Sequence, residues 1–156
     1  METVKMPKMQ EQEIEELINQ QFLCRVAFKG SKYPYIAPFQ YAVIEGVIYL
    51  HFTEYGKKMN FLEQDTPVSV EIERYTQDLS EYAFVVLTGK LKPVRNPEER
   101  KTAIQKMAEV GKRRLSSNFL VAHGFSKGSE WDNFSEKQEI LIIKLEVTEK
   151  KGLKSP

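Results

Sequence analysis

The chain has little of what most enzymatic chemistry uses. Its one cysteine, Cys24, allows no intrachain disulfide, and its only histidines are His51 and His123. A metal site takes three or four ligands, and these three donors show no CxxC or HxxxH spacing, so no metal is expected. Long apolar runs are missing as well. The longest, Tyr82–Leu87, has six residues, far from the ~20 of a membrane helix, and no membrane association is expected. Neither charge dominates: 23 Lys and Arg face 22 Asp and Glu, a net of +1, which removes the basic surplus of a non-specific nucleic-acid binder. The first residues lack the apolar stretch of a secretion signal, and with the unpaired cysteine this points to a cytoplasmic protein. No GxSxG, Walker loop or GxGxxG occurs, which excludes the common hydrolase, nucleotide-hydrolase and Rossmann readings.

What is present is a single soluble domain's worth of sequence: 156 residues, 41% hydrophobic and 29% charged. Residues 1–9 carry no periodicity and read as a tail. From Glu11 to Gln20, Ile14, Leu17 and Ile18 mark one face of a short helix. The period then changes to two. Leu23–Phe28 alternates, Tyr35–Val43 is extended, and Glu45-Gly46 is a two-residue hairpin turn into Val47–Phe52. After an interruption at 53–67, Val68, Val70 and Ile72 mark a fourth strand, and Tyr82–Leu91 a fifth that is apolar on both faces. Pro97–Val110 reads as a helix, with Asn96 as cap and Pro97 at its first position. An irregular, partly helical stretch, 112–138, leads to a sixth strand from Glu139 to Val147, and Glu149–Pro156 reads as a loosely held tail. Six mostly hairpin-connected strands without βαβ units predict a mainly β protein, a small antiparallel barrel with a few flanking helices.

Cys24 lies on the apolar face of its strand and reads as an inert core thiol. The interruption Thr53–Leu62 is more informative. Gly56 permits an abrupt turn, and Lys57 and Lys58 open a short helix marked by Met59, Phe61 and Leu62, an arrangement suited to phosphate. A bare Lys-Lys pair is otherwise an ordinary solvated dipeptide.

The blocks YPYIAPFQY (33–41), GVIYLHFT (46–53) and GKKMNFL (56–62), followed by VSVEI ending at Ile72 and FVVLTGKL ending at Leu91, occur in an order that resembles the pyridoxamine 5'-phosphate oxidase-like FMN-binding split-barrel family, including its nitroimidazole-resistance-type branch. The resemblance covers about residues 10–147. It implies a six-stranded split barrel that forms a homodimer, with FMN in grooves at the subunit interface. By position, Pro38, Phe39 and Gln40 fall on one strand flanking the flavin, His51, Phe52 and Thr53 on the next, and Lys57 and Lys58 on the phosphate-binding basic residues. Phe39 and Phe52 equally suit plain barrel core. Similar proteins lend an aromatic residue from the partner chain, the role the resemblance offers Trp131; His123 is a candidate for the groove wall or for capping and packing. Lys112-Arg113-Arg114 reads as cations at a helix C-terminus.

Two departures matter. The chain ends KKGLKSP, without the oxidase's Arg-x-His segment, and Phe84 stands where the oxidase uses a polar flavin contact. The first argues against pyridoxamine phosphate oxidation, and the second implies a more apolar surrounding for the flavin. The expectation is an FMN-dependent oxidoreductase that takes electrons from a nicotinamide donor or another carrier and passes them to a small-molecule acceptor. The alternatives are a non-enzymatic flavin, haem or deazaflavin binding or sensing module, use of a deazaflavin as substrate, and a plain interaction module.

Overall fold

Alternating side chains build the barrel. In a computed structural model, which describes residues 1–53, 56–135 and 140–156, the period-two segments form β1 (Leu23–Phe28), β2 (Tyr35–Ile44), β3 (Val47–Phe52), β4 (Val68–Tyr75), β5 (Tyr82–Pro93) and β6 (Leu141–Lys154). All pairings are antiparallel, in the order β1-β2-β3-β6-β5-β4, and the β1–β4 ladder closes the barrel. The inward rows, including Cys24, Val26 and Phe28 of β1, Val68, Val70 and Ile72 of β4, and Val85 and Leu87 of β5, form the main core. Glu45 and Gly46 both have positive φ, 49° and 79°, the type I′ geometry that matches strand twist between β2 and β3.

The ends of the barrel are closed by helices. At one end, α1 (Glu11–Gln20) inserts Ile14 and Leu17, and the Tyr41 hydroxyl donates to the Ile18 carbonyl at 2.6 Å. At the other, α2 (Lys57–Glu63) packs Phe61 and Leu62 on the core, with the Phe61 ring stacked on Phe28 at 5.1 Å. A second layer covers the outer side of β2, β3 and β6. There α3 (Pro97–Arg114), capped by Asn96 Oδ1 accepting from the Glu99 amide at 3.0 Å, buries Ala103, Ile104 and Met107 against Ala42, Tyr49 and Ile142. The helix α4 (Asn118–Ala122) and a 3-10 turn (Trp131–Asn133) complete the layer with Leu120, Trp131 and Phe134.

The C-terminal residues differ from expectation. Glu149–Pro156 is not a loose tail, because β6 continues to Lys154 and pairs with β5 from Thr88↔Glu149 to Ala83↔Lys154 across a bulge at Thr88/Gly89. The ladder is made by backbone groups, so polar outward side chains do not prevent it, and an unpaired β5 edge is avoided. The N-terminal residues are also engaged: Lys8 bridges Leu153, and the Met9 amide donates to the Gly152 carbonyl at 2.8 Å. The helix expected to end at Val110 runs to Arg114. The expected start of the sixth strand at Glu139, part of the irregular stretch, and Glu54 and Tyr55 of the interruption lie outside the described residues. On the outer face of β5, Phe84 and Val86 are half-buried. Among the described residues no helix is long and apolar enough to cross a membrane.

Candidate functional site

The β2–β3 hairpin opens toward α2. Its ladder runs from Ile44↔Val47 to Tyr41↔Leu50 and stops. Continued, the same register would set Gln40 opposite His51, Phe39 opposite Phe52 and Pro38 opposite Thr53. Instead β2 stays paired to β1 through Pro38↔Arg25 and Gln40↔Leu23, while His51 and Phe52 pair with Ile142 and Leu141 of β6. Two strands that share a turn therefore part, leaving a seam between Pro38–Gln40 and His51–Thr53. The candidate residues on both strands meet at this seam.

Alternation sorts their side chains. Phe39 and Phe52 face inward and stack on each other at 5.0 Å between ring centroids, both within the barrel core. Their rings are core, so it is their backbone that borders the seam. Pro38 is exposed and has no N–H to donate. Lys58 reaches back from α2, its ammonium 4.8 Å from the centre of the Phe39 ring. Burial lowers the pKa of this half-buried cation. Among the described residues it has no acidic partner. Lys57 beside it is exposed.

Gln40 and His51 point into the second layer. Gln40, 1% exposed, donates from Nε2 to the Met107 carbonyl at 3.0 Å, while its Oε1 is buried without a partner. His51 is 6% exposed and meets His123 and Phe134 edge-on, each at 5.2 Å. Burial above all, then His123 and Lys58, hold its pKa down to about 3, so the ring is neutral. His123 caps α4 and donates from Nδ1 to the Phe119 carbonyl at 2.7 Å. Both histidines, with Thr53, line a cavity of about 80 Å³. Trp131 is packed inside its own chain: its ring covers Gly111 and its Nε1 donates to the Leu115 carbonyl at 3.2 Å. The contacts of Gln40 with Met107 and of His51 with His123 join distant segments, and no motif announces them.

A six-stranded barrel whose β2–β3 ladder stops short beside an ammonium with no acidic partner among the described residues, backed by a helical layer, has the form of a split barrel. The Pyridoxamine 5'-phosphate oxidase family model matches residues 10–142, and the chain belongs to that flavin-binding family. No curated protein matches it. Solved structures share the fold. An FAD-binding protein from Mesorhizobium loti has a TM-score of 0.72 at 14% identity, over 98% of this chain and 100% of that one. A candidate 5-nitroimidazole antibiotic resistance protein from Bacteroides thetaiotaomicron has a TM-score of 0.67 at 18% identity, over 96% and 87%. An FAD and heme binding protein from Mycobacterium smegmatis has a TM-score of 0.65 at 12% identity, over 94% and 71%.

Proposed function

We propose that the protein is an FMN-dependent reductase that works as a homodimer, with a flavin along the β2–β3 seam. The observation that carries the reading is the half-buried ammonium of Lys58 at the end of that seam, which has no acidic partner among the described residues. Desolvating a cation without a counter-charge is unfavourable, and a bound phosphate removes the deficit. Lys57 adds a second, solvent-facing charge. The parted strands fit the other end of the ligand, because the rim of an isoalloxazine needs donors and acceptors of the kind strand edges present. Bound flavin supplies the two-electron redox chemistry; the chain orients the ring and holds its phosphate. In this reading Pro38 withholds one donor, Phe39 and Phe52 stiffen the strands from within, and Trp131 braces the layer behind them. Electrons come from a nicotinamide or another carrier and leave to a small acceptor.

The purified protein is expected to be yellow, and mass analysis of the released ligand to give FMN. FAD, haem or a deazaflavin in its place would move the protein to a different cofactor class, and a colourless protein indifferent to added FMN would overturn the reading. Lys58→Ala removes one charge-assisted bond of about 1.5–3 kcal/mol and should weaken FMN binding roughly ten- to a hundredfold. Size-exclusion chromatography with light scattering checks the dimer. Reduction under anaerobic NADH or NADPH, followed by reoxidation by a small acceptor, separates a reductase from a flavin carrier.

A further inference from the structure

One face of the barrel has no second layer. A strand with one side in water ordinarily alternates apolar with polar residues, as β4 does by turning Ser69, Glu71 and Glu73 outward. Its neighbour β5 does not. While Ala83, Val85 and Leu87 fill the barrel, Tyr82, Phe84 and Val86 are turned outward, half-buried, and belong to neither buried cluster. Contiguous apolar surface of this kind is the mark of an interaction site.

The two flanks of this strip differ in charge. Register puts Glu71, Val86 and Lys151 in one row across β4, β5 and β6, and Glu73, Phe84 and Leu153 in the next. On the β4 side two carboxylates share one cation, because Arg25 reaches Glu71 at 3.3 Å and Glu73 at 2.5 Å. That edge keeps a negative charge in excess. On the β6 side Lys150 and Lys154 pair with Glu11 and Glu13 of α1, whereas Lys151 shares the outward side of Val86, is exposed, and makes no ion pair among the described residues. A face acidic on one flank and basic on the other is complementary to itself. When two such faces meet about a two-fold axis parallel to β5, every row meets its own copy reversed, and Glu71 lies against Lys151 of the second copy. An axis across the strands would set Glu71 against Glu71 and Lys151 against Lys151. One row further on, the favoured arrangement brings Glu149 against Ser69, whose hydroxyl can donate to it.

We infer that two copies of the chain pack face to face through the outer side of β5, about a two-fold axis parallel to that strand, with Glu71 of each copy paired to Lys151 of the other. The inference rests on the homodimer of the flavin reading and assigns its contact surface. Analytical ultracentrifugation of the full-length protein tests it, with circular dichroism to check that each variant folds. Val86→Asp sets an unpaired carboxylate in the middle of the contact twice over and should raise the dimer dissociation constant by about a hundredfold or more. Lys151→Glu and Glu71→Lys each replace attraction by repulsion in both copies of the pair and should raise it by about tenfold or more, and the double variant should recover most of that loss. Within one chain the two side chains stand two strands apart, roughly 10 Å, so the rescue reports a contact between copies. If Val86→Asp does not fold, the charge series decides. A dimer that these variants leave unchanged, or that the double swap does not restore, would overturn the inference and leave the homodimer standing. A wild type that stays monomeric would overturn both. The expected pattern in a protein that takes up no flavin would uphold the contact surface while the flavin reading fell.

Discussion

Gly111→Ala puts two opposing effects on one residue, and the structure decides their sum. Gly111 lies within α3, where alanine is intrinsically better than glycine by about 1 kcal/mol. Propensity alone thus predicts a more stable protein. The ring of Trp131 lies over this position, however, and an added Cβ would come within 2.3 Å of Cε3 and 2.4 Å of Cδ2 and Cζ3. Normal carbon contacts are about 3.5–4.0 Å, so the ring must retreat by roughly 1 Å or more. It has little room. Trp131 is 4% exposed, tied through Nε1 to Leu115, and flanked by Phe134 at 5.8 Å and Phe119 at 6.3 Å. Overpacking of this kind costs about 1–3 kcal/mol, and the size of the overlap places this case toward the upper end. The net expectation is a loss of about 1–2 kcal/mol, which lowers Tm by about 2–8 °C in a domain of this size. Urea unfolding of four proteins tests it: wild type, Gly111→Ala, Trp131→Leu and the double variant. With the ring gone, the alanine should stabilise by about 1 kcal/mol relative to Trp131→Leu, a reversal of sign that only direct contact produces. A higher midpoint for Gly111→Ala in the wild-type background would refute the packing argument.

Other consequences are as open to test. Cys24 is 2% exposed, and burial, with Glu71 nearby, pushes its thiol up to about 12; it should ignore a thiol reagent at pH 8 in the native protein and react fully in denaturant. Rapid native labelling would mean that β1 is not packed as described. A chain ending at Thr148 loses the β6 partner of Ala83–Thr88 and should show no cooperative thermal transition by circular dichroism, whereas melting within a few degrees of wild type would show the segment to be dispensable. Glu99 is held below the usual carboxylate range first by Lys144 and then by the Tyr49 hydroxyl, both at 2.9 Å. Its folded-state pKa is depressed, so its contribution is present above the unfolded pKa and fades as pH falls through the folded value. Glu99→Gln should therefore cost stability at pH 7, by less than about 1 kcal/mol for so exposed a pair, and nothing at strongly acidic pH. A cost that persists in acid would assign the effect to packing.

The strands were readable where one face of the chain had to be apolar. Cys24-Val26-Phe28 and Val68-Val70-Ile72 alternate because the barrel interior accepts only their side, and Glu45-Gly46 announces its turn through the positive φ both residues adopt. The last stretch of β6 gave no such signal. Its pairing with β5 depends on backbone groups, and Gly152 is selected by the Met9 and Ile14 side chains that a Cβ would strike, within 2.7–2.9 Å. The same division runs through the site. Lys57 and Lys58 were legible because a glycine, two cations and an apolar helix face sit together in ten residues of sequence, and the parted hairpin puts Lys58 beside Phe39. The His51–His123 contact was not legible. It exists only because α3 and the segment after it fold back over β3, and periodicity can tell that a helix has a buried face without naming the strand that receives it.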